Sequence, residues 1–180
     1  VPNCKDTSDE KGCETMLLDA ATYRKEYPPI KKVGEKVIVE VSTFILKMSK
    51  FDDLAMSYNV KFVIQLKWFD PNVRYANLKE NYLENLVSEE KKKAIWIPPL
   101  TFNNTEGNMR ISVDEPSSQV FVEKKGSYKV APLSDILETL YYSGSENYVV
   151  LKTEYELNFN CHFDLRCFPF DTQVCGMEVR

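Results

Sequence analysis

Fifteen residues near one end constrain this chain more than any others: Cys161-His-Phe-Asp-Leu-Arg-Cys-Phe-Pro-Phe-Asp-Thr-Gln-Val-Cys175. An oxidised Cys161–Cys175 pair would close a loop of a size that the chain-entropy model values at roughly 3 kcal/mol. Inside it sits Phe168-Pro169-Phe170-Asp171. Aromatic-Pro-aromatic is a tight-turn signal, because proline lowers the cost of a cis peptide and flanking rings can stack on it. Asp171 is expected to accept hydrogen bonds from the turn's own N–H groups.

The rest of the chain reads as strands. Val37 to Met48 is β-branched and apolar without Pro or Gly, which predicts a long strand. From Val60 the pattern alternates: Phe62, Ile64, Leu66 and Trp68 form a core face, and Val63, Gln65 and Lys67 a half-exposed one. Asp70-Pro71-Asn72 ends that strand with turn chemistry. Ser118–Glu123, Ser127–Val130 and Asn147–Asn160 read as further strands, with Lys124-Lys125-Gly126 as a hairpin turn. Short helices are expected over Lys79–Val87 and near Glu14–Tyr23. The self-neutralising run Glu89-Glu90-Lys91-Lys92-Lys93 reads as a solvated loop. Strand after strand with short turns implies an all-β, antiparallel sandwich with one or two short helices.

Composition sets limits on partners. A net charge of −4 without a basic cluster argues against nucleic acid. No stretch reaches the roughly 18 apolar residues of a membrane span. The chain opens without Met or a secretory leader and stops at Val179-Arg180, so it is expected to be a fragment. Five cysteines fall into two local pairs plus one, as in an oxidising compartment. The odd one, Cys167, is read as a small, buried or half-exposed residue, with intermolecular pairing as the alternative.

The cysteine spacing, the aromatic-Pro-aromatic-Asp turn and Gln173 before the second cysteine together resemble the signature loop of the Cys-loop (pentameric ligand-gated) receptor family. Trp68-Phe-Asp70 is similar to that family's Trp-x-Asp segment, and Trp96-Ile-Pro98 to its Trp-x-Pro-Asp motif. Tyr142-Ser-Gly-Ser-Glu-Asn147 resembles an invertebrate branch that includes chloride channels gated by pH or zinc. The resemblance implies an Ig-like sandwich truncated at its C-terminal side, with 14–180 as an incomplete ligand-binding domain. It also implies a Cys161–Cys175 disulfide and a gating tip at Phe168, Pro169 and Phe170, with Asp171 anchoring the turn.

Departures from the family pattern bear on the ligand. Amine-gated members carry an aromatic five residues before the core Trp, where this chain has Val63. A Tyr often lies seven residues past the second Trp, where this chain has Asn103, and Pro99 replaces the motif's Asp. An ammonium ligand wants aromatic walls worth about 0.5–2 kcal/mol each, so acetylcholine- or serotonin-type binding is disfavoured. By position, the complementary face of the ligand site would present Val63, Gln65, Val150 and Lys152. Lys152 invites an anionic or zwitterionic ligand, while alternation alone makes it a solvent-facing lysine.

Residues 1–13 resemble the end of a low-density-lipoprotein-receptor class A module, which implies Asp9 and Glu10 as calcium ligands. The module's other cysteines and acidic ligands are absent, and the pairing of Cys4 and Cys13 stays open. Calcium at this remnant is the one metal the sequence suggests. His162, the single histidine, has a reference pKa suited to sensing protons, but a lone loop histidine is more often solvated and silent. No zinc spacing, phosphate loop or nucleophile elbow occurs, so no enzyme is expected. Asn103-Asn104-Thr105 is the single glycosylation sequon.

The implied function is the extracellular domain of a channel subunit at the plasma membrane. It would assemble with identical or related subunits as a pentamer and bind a small-molecule or ionic ligand between them. Missing transmembrane helices would supply the membrane contact. The alternative is a secreted, pore-less binding protein of the same fold.

Overall fold

The computed structural model describes residues 15–30, 34–105, 116–126 and 140–180. Among the described residues, seven strands form two antiparallel sheets: β1 (Met16–Leu17), β2 (Glu40–Asp52), β3 (Ser57–Phe69), β4 (Arg74–Ala76), β5 (Gln119–Lys124), β6 (Tyr141–Ser143) and β7 (Asn147–Asn160). One sheet has the order β1-β4-β6 and the other β2-β3-β7-β5. With one α-helix among the described residues, α1 (Glu89–Ala94), and one turn of 3-10 helix, Tyr82–Glu84, the chain is of the expected all-β sandwich class. The strand expected over Ser127–Val130 lies outside the described residues.

The alternating strand has the faces its sequence predicts. Phe62, Ile64, Leu66 and Trp68 are fully buried, and Val63, Gln65 and Lys67 half-buried. β7 has the bounds expected for it, Asn147–Asn160. β2 starts later than Val37 and runs on to Asp52, where the Asp52 carboxylate accepts from the N–H groups of Leu54 and Ala55 and turns the chain. Its apolar side chains Val41, Phe44, Ile45, Leu46, Met48 and Phe51 are exposed.

Contacts divide the chain into two compact units. One comprises 1–41, 66–98 and 119–151, the other 42–65, 99–118 and 152–180. In the first, Trp68 meets Trp96 edge-on at 6.2 Å. Tyr23 Oη donates to Asp70 Oδ2 at 2.5 Å and accepts from the Trp96 N–H at 2.9 Å. Burial pushes the Asp70 carboxyl up, opposed by its bonds from Tyr23 and the Asn72 N–H. Gly144 is obligatory: a Cβ there would lie 2.0 Å from the Asp70 carbonyl oxygen. In the second unit, Phe62, Phe102, Tyr155 and Phe159 form an aromatic core with centroids 5.3–6.2 Å apart.

Three local expectations are corrected. Near Glu14–Tyr23 the structure has β1, with Met16 and Leu17 paired to Tyr75 and Arg74, and no helix among the described residues. Asp19 then accepts from Ala21 N and Thr22 Oγ1, a local bond set that competes with helix. Over Lys79–Val87 only the 3-10 turn forms. The buried Asn85 side chain clamps Lys79 N and O and the Val122 carbonyl, and the backbone of Asn85 and Val87 bonds to β5. Conversely, the charged run expected to be a loop is α1. Ser88 caps it, Glu89 and Glu90 occupy the first turn, and three lysines the last. That order complements the helix dipole.

Candidate functional site

The segment 161–175 is built from its base outward, within the second unit. Cys161 and Cys175 form a disulfide with Cα atoms 5.4 Å apart. Beneath it, Phe159 and Tyr58 belong to the aromatic core, and Tyr58 Oη donates to the Gly176 carbonyl at 3.0 Å. The turn joining β2 and β3 supports the first residues of the loop. Cys161 N donates to the Met56 carbonyl at 2.8 Å, and Phe163 N to Met56 Sδ at 3.4 Å. Met56 holds φ at +49°, in the left-handed region where a non-glycine residue is uncommon.

A single side chain ties the loop's two ends together. Asn104 Nδ2 donates to the carbonyls of Asn160 (3.2 Å) and Gly176 (2.8 Å), and its Oδ1 accepts from Glu178 N (2.8 Å). Around it, 178–180 pairs with 101–103: Thr101 and Arg180 exchange both backbone bonds, and Asn103 N donates to the Glu178 carbonyl. In the sequence Asn104 stands out only as the middle of a sequon. Its signal was the Asn preference for satisfying irregular backbone, which does not reveal partners more than fifty residues away.

Within the loop, Gln173 does similar work across the two arms. Its Oε1 accepts from Asp164 N at 2.9 Å, and its Nε2 donates to the Asp164 carbonyl at 2.8 Å and to the Asp171 carboxylate. The expectation for Asp171 is therefore corrected. The partner found is the Gln173 amide, while the turn N–H groups of Phe168 and Phe170 donate to the carbonyls of Leu165 and Cys167. Arg166 chelates Asp164 with contacts of 2.5–3.1 Å, and this pairing holds the Asp164 carboxyl below its ordinary value.

The tip then projects. The Phe168–Pro169 peptide is cis. Phe168 is 74% exposed and Phe170 93%. Cys167 is exposed and free, contrary to the buried or half-exposed expectation, because the turn directs it outward with its neighbours. Between the loop and the end of β2 lies an open cleft of about 870 Å³, lined mostly by apolar side chains including Met48, Phe51, Phe163, Leu165 and Phe168. His162 is exposed on the loop's first arm.

The expected ligand-facing positions divide. Val63 and Gln65 on β3 and Lys152 on β7 share the half-exposed sheet face on which Lys61 pairs with Glu154 at 2.8 Å. Val150 has the same parity but is fully buried, so it offers no open contact. Asn103 stands apart on the exposed turn that pairs with Glu178. Asp9 and Glu10 lie outside the described residues. Among the described residues, no three His, Cys, Asp or Glu side chains are grouped as metal ligands. No described helix is long and apolar enough to cross a membrane.

Comparison with known proteins fits this geometry. Residues 13–180 match the model of the neurotransmitter-gated ion-channel ligand binding domain. The chain is 23% identical to pH-sensitive chloride channel 2 of Drosophila melanogaster over 166 residues, covering 89% of this chain and 28% of that protein. It is 25% identical to the human glycine receptor subunit beta over 146 residues, covering 81% of this chain and 25% of that one. It is also 25% identical over 172 residues to probable ligand-gated ion channel 46 of Caenorhabditis elegans, covering 93% of this chain and 29% of that one. The chain thus spans between a quarter and a third of the length of these relatives.

Proposed function

Since the chain belongs to the family of neurotransmitter-gated ion-channel ligand-binding domains, we propose that it is the extracellular part of one subunit of a pentameric ligand-gated channel. Ligand binds between subunits, and the Cys161–Cys175 loop passes the resulting displacement to the pore. The observation that carries this reading is the loop's construction. Its base is fixed by a disulfide, Asn104 and Gln173, while Phe168 and Phe170 stand out almost bare. A rigid stalk with an apolar tip transmits motion to an apolar neighbour. A secreted, pore-less relative would leave both rings in water, an exposed patch with no use.

In this reading Val63, Gln65 and Lys152 face the ligand. With an aliphatic side chain at Val63 and a cation at Lys152, the favoured ligand carries an anionic group, as an amino acid does. The name of the glycine receptor relative is in keeping with such a ligand, and that of the Drosophila channel suggests protons. Placement in an invertebrate branch draws support from the Drosophila and Caenorhabditis relatives. The family match starts at residue 13, which suits the assignment of 1–13 to a calcium-binding module remnant with Asp9 and Glu10 as ligands.

The test is Phe168→Ser/Phe170→Ser in the full-length receptor, recorded from oocytes under applied glycine and under steps to acid and alkaline pH. The expected outcome is normal surface delivery with the evoked current lost. Wild-type currents from the double variant would refute the loop's assigned role.

A further inference from the structure

The two asparagines of the sequon Asn103-Asn104-Thr105 have opposite surroundings. Asn104 spends both ends of its amide on backbone: Asn160 and Gly176 carbonyls on one side, Glu178 N on the other. Asn103 is exposed, and among the described residues its side chain has no hydrogen-bond partner. Only its backbone is engaged, through its N–H to the Glu178 carbonyl at 2.9 Å. Thr105 is buried, its Oγ1 donating to the Phe102 carbonyl at 3.0 Å. The fold thus leaves the acceptor amide outside and folds the threonine away.

We infer that Asn103 carries an N-linked glycan. The inference rests on the extracellular reading above, since a sequon is modified only in the secretory pathway. The threonine must be read before this turn closes, while the chain is still extended. The Asn103 side-chain nitrogen attacks the anomeric carbon of an oligosaccharide carried on a lipid pyrophosphate. The new C–N bond replaces the C–O bond to the pyrophosphate, which leaves, and the amide gives up one proton. Once 101–103 pairs with 178–180, the sugar projects from the exposed face of the turn with no structural bond to break. Had the sequon begun at Asn104, modification would have replaced one of the two Nδ2 hydrogens that bond the Asn160 and Gly176 carbonyls.

A glycosylated Asn103 cannot also be the ligand contact that the family resemblance gives it. Ligand recognition then falls to the face of Val63, Gln65 and Lys152, and the side of the subunit bearing this turn is shielded by sugar.

The experiment uses the full chain directed to the secretory pathway of insect cells, with glycan removal by an N-glycosidase and disulfide mapping on the same sample. The expected result is one downward gel shift, with the glycosidase's deamidation mark at Asn103. Asn103→Gln and Thr105→Ala should lose the shift, and Thr105→Ser, which keeps the sequon, should retain it. Should a variant misfold, Asn104→Ala gives an independent reading: it preserves the sequon while removing the structural bonds, so its shift should persist. A chain with Cys161–Cys175 oxidised and no shift would overturn the glycan and leave the extracellular reading intact. A shifted chain with both cysteines reduced would keep the glycan and remove the disulfide on which the loop's assigned role rests.

Discussion

Replacing Asn104 with alanine isolates what holds the loop's base. The substitution removes three hydrogen bonds, to Asn160 O, Gly176 O and from Glu178 N. Each is worth about 0.5–1.5 kcal/mol net. Asn104 is half-exposed, so water can rehydrate the freed backbone groups, and the total should sit toward the lower part of that range, about 2 kcal/mol. For a domain of this size that corresponds to a fall in Tm of roughly 4–8 °C. The loss should also be local: amide exchange at Glu178 should accelerate, while amides deep in β3 change only by the global amount. Asn104→Asp is a sharper probe. It keeps an acceptor for Glu178 N but turns an oxygen toward the carbonyls of Asn160 and Gly176, so it should destabilise at least as much as alanine. Unchanged stability and exchange in Asn104→Ala, or an Asn104→Asp variant as stable as wild type, would refute the argument.

Two further outcomes follow from the loop. Cys161→Ser should cost roughly 3 kcal/mol and abolish surface delivery of the full receptor; normal delivery, measured by surface labelling, would remove the disulfide's structural role. The Asp164 carboxyl is held low by Arg166, so its favourable pairing is complete above the unfolded-state pKa and is lost as pH falls through the lower folded value. Arg166→Gln should move the Asp164 titration, followed by NMR, upward toward the ordinary carboxylate range, and an unmoved titration would dismiss the pair.

How much was legible in the sequence depended on the range of the deciding interactions. The face of Phe62, Ile64, Leu66 and Trp68 was readable because strand periodicity is local. The same holds for β7, whose bounds its β-branched and aromatic residues announce. The α1 helix is equally local in origin, and its signal lies not in the run's charge balance but in its order, Ser88 then acids then lysines. The failed helix over Lys79–Val87 is of another kind. Asn85 is committed to Val122, thirty-seven positions away, and no local propensity encodes that partner. In the candidate site, the exposed tip was foreseeable from two phenylalanines flanking a proline. The burial of Val150, on the same parity as exposed Glu154, depends on what covers that part of the sheet and is invisible to alternation.

Met56 gives the loop a second root. It is the last residue of the turn after β2, it sits in a backbone conformation that few side chains tolerate, and it receives both Cys161 N and Phe163 N. The β2–β3 turn and the disulfide loop are consequently two prongs on one stem rather than independent levers. A force on either prong loads the other through a residue with little freedom to yield, so the pair would respond to a push as a fork does, in unison.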